Sequence, residues 1–144
     1  MTVDRVLDYF CGFYQDFDLK KAERLLTSLS LDKKMRINKM SKGMQEKFQL
    51  VLVMSRNAEI YVLDEPLGGV DPATRDYILD TILNNFSEGA TVLISTHLIS
   101  DIEKVLDEVI FINDGKVVLQ SDCDELRQLH GASIDAIFRE KFKC

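Results

Sequence analysis

The sequence predicts an α/β protein in which a mainly parallel sheet with flanking helices follows an N-terminal helical subdomain. Apolar residues recur at helical spacing through the first fifty residues. Two continuous apolar segments, "EIYVLD" (59–64) and "ATVLIST" (90–96), are then typical of buried parallel strands joined by a helix. We therefore expect a helical subdomain over residues 1–50 and an α/β core over residues 51–144.

The composition is that of a soluble globular chain. Of the 144 residues, 46% are hydrophobic and 29% are charged, and no apolar run is long enough to cross a bilayer. The net charge of −6 argues against nucleic acid as a partner, and the short basic clusters are better explained as solvated helix ends. The three scattered cysteines favour reduced thiols in a cytosolic protein: Cys11, Cys123 and Cys144.

Three helices are expected in the first part of the chain. Residues 2–15 and 19–29 each place apolar side chains on one face, and Ser41 stands where an N-cap should precede a third amphipathic helix. The predicted buried faces of the three helices are Val3, Val6, Leu7 and Phe10; Ala22, Leu25, Leu26 and Leu29; and Met44, Phe48, Val51 and Leu52.

The period changes after residue 58. The strand at 59–64 is predicted to be covered on both faces. Asp71-Pro72 then begins a helix that runs to about Phe86, with Leu79, Leu83 and Phe86 on its buried face. After the second strand (90–96) we expect a helix over 98–106, a hairpin with a type I′ turn at Asp114-Gly115, and a helical tail over 122–141.

Polar side chains end both predicted parallel strands. Asp64 and Glu65 end the first strand, and Thr96 and His97 end the second. Because ligands bind at the carboxyl ends of strands in open parallel sheets, two carboxylates and an imidazole are expected at one edge. Such carboxylates can hold Mg²⁺ and orient a water for phosphate chemistry. The plainer alternatives are that Asp64 caps a loop and that His97 is structural.

Four segments resemble those of the ABC ATPases. "IYVLDEP" (60–66) resembles their Walker B segment, "GGVDP" (68–72) their D-loop, "MSKGMQEK" (40–47) their signature segment and "LISTH" (93–97) their switch-histidine loop. The four occur in the family's order and spacing. The resemblance implies a partial P-loop NTPase fold, with ATP and Mg²⁺ as the ligands.

The resemblance also implies roles at the strand ends. Asp64 would bind Mg²⁺, and Glu65 would act as the general base for, or polarise, the attacking water. His97 would contact the γ-phosphate and stabilise the charge that develops on it.

A second group of residues is implied to act between two ATPase subunits arranged head to tail. The signature residues would touch ATP held mainly by the opposite subunit, and Asp71 would lie at the subunit interface. A helix start attracts phosphate through its free N–H groups and dipole. The alternative is an ordinary serine cap with an incidental glycine. The signature residues are Ser41, Lys42, Gly43 and Met44.

The sequence departs from the family pattern in three ways. Met40, Lys42 and Met44 replace the commonest residues of the signature, in a variant that resembles bacterial exporter-type members. Gly68, Gly69 and Val70 replace the commonest D-loop sequence. No G-x-x-x-x-G-K-[ST] occurs in the 144 residues, so the chain is expected to be the later part of an ABC ATPase domain that lacks the Walker A and Q-loop segments.

The resemblance thus predicts a partial ATP-binding, ATP-hydrolysing subunit that powers export when complete. The expected partners are a second ABC ATPase subunit and a transmembrane permease, which would place the chain on the cytoplasmic side of the cell membrane. Two alternatives remain at this stage: a non-transport ABC ATPase, and a catalytically dead remnant that acts as a regulatory partner.

Overall fold

The computed structural model describes residues 1–142, which form two compact units, 1–96 and 97–142. Cys11 and Cys123 are free thiols, and Cys144 lies outside the described residues. Among residues 1–142, no helix has the length and apolarity needed to cross a membrane.

The first unit contains three helices followed by a βαβ segment. Its core includes part of each predicted face of the first three helices, namely Val3, Leu7, Ala22, Leu25, Leu26, Leu29, Phe48 and Val51. Val6, Phe10, Met44 and Leu52 are only half-buried, whereas Leu50 and Met54 are buried although they were not predicted. Fully burying one Leu or Ile contributes roughly 1.5–3 kcal/mol. The elements are α1 (Val3–Phe13), α2 (Leu19–Ser28), a 3₁₀ helix (Ile37–Lys39), α3 (Lys42–Met54), β1 (Ile60–Asp64), α4 (Pro72–Leu83) and β2 (Thr91–Ser95).

β1 and β2 are parallel neighbours, as the sequence predicts, with Ile60 opposite Thr91 and Asp64 opposite Ser95. Only one face of this sheet is covered among the described residues. Ile60 and Val62 are 64% and 68% exposed, so the prediction of a strand buried on both faces is wrong here. A continuous apolar run is typical of a strand that is covered on both faces, but it does not show which residues cover each face.

α4 buries a different face from the predicted one. Ile78 and Ile82 are buried, whereas Leu83 is 37% and Phe86 36% exposed. The helix carries two adjacent apolar stripes, and periodicity alone cannot say which stripe meets the core. α4 also ends at Leu83, because the Asn84 side chain donates to the Asp80 carbonyl and closes the last turn.

The second unit has its own core around a hairpin and three helices. Its elements are α5 (Ile99–Ile102), β3 (Glu108–Asn113), β4 (Lys116–Asp122), α6 (Cys123–His130) and α7 (Ile134–Lys141). Asp114 and Gly115 both have positive φ, 48° and 72°, which confirms the type I′ turn. The buried cluster consists of Ile99, Phe111, Cys123, Leu126, Ile134 and Ile137.

Two helix predictions in this unit need correction. The expected helix over 98–106 is a single turn, because the Glu103 carbonyl accepts from the Arg127 guanidinium and its carboxylate accepts from Asp135 N at 3.1 Å. The tail is two helices, since Gly131 ends α6 at φ 60° and Ser133 caps α7.

Candidate functional site at the carboxyl edge of the parallel sheet

The pairing of β1 with β2 brings their polar ends together. Asp64 lies opposite Ser95, and Glu65 N donates to the Ser95 carbonyl at 2.9 Å. This is the juxtaposition that the strand order predicts at the carboxyl edge of a parallel pair.

Asp64 presents an exposed carboxylate on the uncovered face of the sheet. The Ser95 hydroxyl donates to Asp64 Oδ1. No three His, Cys, Asp or Glu side chains among residues 1–142 are grouped to hold a metal ion. An exposed carboxylate such as that of Asp64 is a ligand of the kind that Mg²⁺ uses, since this ion is commonly bound by one or two carboxylates together with water and substrate phosphates.

Glu65 has an unusual backbone for a residue with a side chain. Its φ is 46°, in the left-handed region, which costs an L-residue roughly 1–2 kcal/mol. The turn is closed by Gly68 N, which donates to the Glu65 carbonyl at 2.9 Å, and a Cβ at Gly68 would stand only 3.2 Å from that oxygen. Backbone strain of this kind is concentrated at functional sites, where the surrounding structure maintains it.

The Glu65 side chain is half-buried and has a hydroxyl neighbour. Thr96 Oγ1 donates to Glu65 Oε2 at 3.3 Å. Asp64 and Glu65 both line a cavity of about 300 Å³ beside β1, together with Glu46, Pro66 and residues of α3 and α4. A carboxylate in this position can accept a proton from, or orient, a molecule in the cavity.

His97 is exposed and is the first residue of the second unit. It follows Thr96 directly in the chain. Its role therefore rests on its sequence position, one residue after the hydroxyl that contacts Glu65.

The signature residues lie at the start of α3. Ser41 is the N-cap, and its hydroxyl accepts from Met44 N at 3.3 Å. A Cβ at Gly43 would meet nothing within 4 Å in the described part of the chain, so packing among residues 1–142 does not require glycine there. Lys42 is 77% exposed, and Met44 is half-buried. The start of α3 is thus accessible from outside.

Asp71 caps α4, as predicted. Its carboxylate accepts from Thr74 N at 3.1 Å and from Thr74 Oγ1 at 2.6 Å. The hydrogen bond from the Thr74 hydroxyl has the largest effect and that from Thr74 N the next, and both lower the pKa of Asp71 below its ordinary value. The same carboxylate is exposed, so a partner can reach it.

The roles of three residues at this site were not predicted, although Thr96 was expected to end the second strand. Ser95 and Thr96 hydrogen-bond to Asp64 and Glu65, respectively, and Glu46 of α3 reaches the same cavity. The parallel pairing gives a signal for Ser95, because it lies opposite Asp64 in register, and Thr96 follows it directly in the chain. Glu46 carries no such signal, since only the packing of α3 beside β1 brings it there.

Comparison with known proteins gives consistent results. A family model described as "AAA domain, putative AbiEii toxin, Type IV TA system" matches residues 8–100, more than half of the chain. The ABC transporter ATP-binding protein YtrB of Bacillus subtilis is 27% identical over 128 residues, which are 88% of this chain and 44% of the relative. The lantibiotic transport ATP-binding protein SrtF of Streptococcus pyogenes is 30% identical over 105 residues, which are 73% of this chain and 46% of the relative.

A solved structure of the ATP binding subunit of an ABC transporter superposes with a TM-score of 0.83 and 26% identity. The match covers 97% of this chain and 62% of that one. The chain thus spans a little under half the length of the two curated relatives. It belongs to the AAA-domain family that matches residues 8–100, and its homologues and structural neighbours are ATP-binding subunits of ABC transporters.

Proposed function

We propose that this chain forms part of the ATP-binding and ATP-hydrolysing site of an ABC transporter that exports its substrate. The observation that carries the proposal is the pair of carboxylates where β1 ends: Asp64 is hydrogen-bonded to Ser95 of the neighbouring strand, and Glu65 to Thr96, the residue after that strand. Residues 1–50 act as the helical subdomain and residues 51–144 as part of the α/β core.

Asp64 would hold Mg²⁺, in part through water, and the hydrogen bond from Ser95 orients its carboxylate. The ion, when bound, neutralises charge on the phosphate oxygens. Glu65 accepts a hydrogen bond from the attacking water and orients or deprotonates it, while Thr96 fixes the position of Oε2. His97 donates a hydrogen bond to the γ-phosphate.

The second half of the proposal concerns the start of α3. Ser41, Lys42, Gly43 and Met44 contact ATP that is held mainly by a second ATPase subunit, and Asp71 lies at the interface between the two subunits. The accessible helix N-terminus and the absence of any packing reason for Gly43 support this role. A transmembrane permease is the further partner, which places the chain at the cytoplasmic face of the membrane; no nucleic acid is involved.

Phosphate release from the purified chain tests whether this chain can hydrolyse ATP without phosphate-binding residues from elsewhere. Positioning of the β- and γ-phosphates dominates phosphoryl transfer, and the 144 residues contain no glycine-rich phosphate-binding sequence. We therefore expect negligible release of phosphate from ATP and Mg²⁺ by this chain alone. Turnover that is abolished by Glu65→Gln would show instead that this chain hydrolyses ATP by itself, with Glu65 as a catalytic residue.

Association with an intact relative tests the second half. Full-length YtrB mixed with this chain should bind it in the presence of ATP and not of ADP, and Ser41→Arg should remove that binding because the long side chain fills the phosphate position. Equal binding with ATP and ADP, or no binding at all, would contradict the proposal.

A further inference from the structure

Two of the departures from the family pattern, Lys42 and Gly69, meet in the structure. Lys42 is the first residue of α3, and its side chain extends over the D-loop segment (68–72). A Cβ built on Gly69 would stand 2.9 Å from Lys42 Nζ and 3.7 Å from Lys42 Cε. The end of the flexible lysine side chain therefore lies where a side chain at position 69 would need to be, and the ammonium would have to move to admit one.

Gly69 is suited to this contact for two reasons. Its φ of 75° is a conformation that L-residues adopt at a cost, and its missing Cβ leaves room for the ammonium. Read separately, the lysine in the signature and the glycine in the D-loop are unrelated substitutions. In space they are complementary.

Glu46 is the third member of this group. It lies one helical turn after Lys42, and its Oε1 is 3.8 Å from Lys42 Nζ and 3.9 Å from the Cβ position of Gly69. The distance of 3.8 Å exceeds a hydrogen bond, so the pair is held by charge attraction alone. Its other oxygen, Oε2, is buried and has no hydrogen-bond partner among residues 1–142.

A buried carboxylate oxygen without a donor is costly, and natural proteins tend to keep such groups where they have a use. Here the negative charge lies beside an ammonium that is 77% exposed. An ammonium has three donors, and the one ion pair that Lys42 makes among residues 1–142, with Glu46, is longer than a hydrogen bond. Lys42 is thus attracted toward the D-loop but remains available to a stronger acceptor.

The surroundings favour an anion as that acceptor. The ammonium belongs to the first residue of α3, where the helix N-terminus carries a partial positive charge. A charge-assisted hydrogen bond from lysine to a phosphate oxygen is stronger than its loose contact with Glu46.

We propose that Glu46 and Gly69 are positioning residues for Lys42: Glu46 draws the ammonium over the D-loop, Gly69 leaves the room, and Lys42 transfers to a phosphate oxygen of the ATP held by the second subunit. The phosphate contact rests on the function proposed above. The positioning of the lysine by Glu46 and Gly69 does not depend on nucleotide.

The positioning is tested first without nucleotide, by NMR of the labelled chain. The unsubstituted protein should show a nuclear Overhauser effect between the Lys42 Hε protons and the Gly69 Hα protons. The Glu46→Gln variant should lose most of it, because the charge that draws the ammonium is gone while the size of the side chain is kept. An undiminished signal in Glu46→Gln would overturn the role of Glu46.

The phosphate contact is tested by the affinity of the chain for full-length YtrB in the presence of ATP. Lys42→Met should weaken binding about tenfold, as expected for the loss of one charge-assisted hydrogen bond. Lys39→Met is the matched control, because it removes an exposed lysine three residues away and should leave binding unchanged. Equal losses in the two variants would overturn a specific contact by Lys42.

A double-mutant cycle separates positioning from a merely structural effect. Glu46→Gln should weaken binding in the unsubstituted chain and have no further effect when combined with Lys42→Met. Additive losses would overturn the proposal that Glu46 acts through Lys42. If the unsubstituted chain does not bind YtrB, the proposed function and the phosphate contact both fail, whereas the NMR comparison still decides the positioning.

Discussion

The two edges of the β1–β2 sheet differ in how far their polar groups are paired within the chain. At the amino edge, the Tyr61 hydroxyl donates to the Arg56 carbonyl at 2.7 Å and lies 2.8 Å from Ser87 Oγ. The Arg56 Nε donates to both Asp16 oxygens at 2.9 and 2.8 Å, and its guanidinium lies 3.9 Å from the centroid of the Tyr14 ring. These groups satisfy one another within the chain.

The carboxyl edge and the cavity beside it contain polar groups in energetically unfavourable arrangements. Asp64 is exposed, Glu65 has a left-handed backbone, and Glu46 Oε2 is buried without a hydrogen bond among the described residues. The difference separates polar residues that stabilise the fold from those kept for another purpose. Local departures from favourable structure are expected where a protein binds or reacts.

The largest difference in stability should come from breaking the amino edge. Tyr61→Phe leaves the Arg56 carbonyl without its donor in a buried setting, because the tyrosine is only 2% exposed. We expect a loss of about 1–2 kcal/mol in the free energy of unfolding, measured in urea. Tyr77→Phe, on a ring that is 56% exposed, is the control and should change little; equal losses would show that the network contributes nothing.

The next effect should have the opposite sign. Gly43→Ala should stabilise the chain by up to about 1 kcal/mol, since alanine favours a helix and a Cβ there meets nothing within 4 Å. The same change should weaken ATP-dependent binding to YtrB, because the new methyl group keeps phosphate from the helix start.

Gly12→Ala is the matched control for Gly43→Ala. Gly12 also lies in a helix with nothing within 4 Å of an added Cβ, so it should give a similar gain in stability with no change in binding. If both alanines leave binding unchanged, Gly43 does not approach the nucleotide.

At the carboxyl edge, Asp64→Asn should hardly affect stability. The side chain is exposed and the amide can still accept from Ser95, so we expect a change within about 0.5 kcal/mol in urea unfolding. A loss as large as that of Tyr61→Phe would mean that Asp64 stabilises the fold, and the contrast between the two edges would not hold.

The smallest effect should be pH dependence at the amino edge. The hydrogen bond from Arg56 is the main cause that lowers the pKa of Asp16 below 3.8. The stabilisation is therefore fully present above about pH 4 and is lost as the pH falls through the lower pKa of the folded state. Because the two side chains are 31% and 33% exposed, the effect should be small.

Unfolding of the wild type and of Asp16→Asn across pH 2–7 measures this contribution. The difference between the two proteins should be constant near neutral pH and shrink on acidification. A difference that grows as the pH falls would show that the sign of the coupling is wrong.

Much of the architecture could be predicted from local patterns. The patterns that allowed this are the apolar spacing in α1 and α2, the caps Ser41 and Asp71, the parallel strands and the Asp114-Gly115 turn. The strand ends also predicted that Asp64 and Glu65 lie at the carboxyl edge of the sheet, because parallel strands end at the same edge.

The errors came from contacts between distant parts of the chain. The sequence does not show which of the two apolar stripes of α4 is buried. It also does not show that Arg127 donates a hydrogen bond to the Glu103 carbonyl, where α5 ends. The exposed face of β1 was not predicted for a related reason. Apolar residues in a strand indicate that burial would be favourable, but they do not show whether another part of the chain covers them.

The sequence by itself determined which segments form helices and strands, and that two carboxylates end a parallel strand, because these properties follow from periodicity and local hydrogen bonding. Only the tertiary structure decided that Glu46 reaches the cavity beside those carboxylates and that Lys42 fills the space left by Gly69. Residues 42 and 69 are far apart in the chain, and packing in three dimensions brings them together.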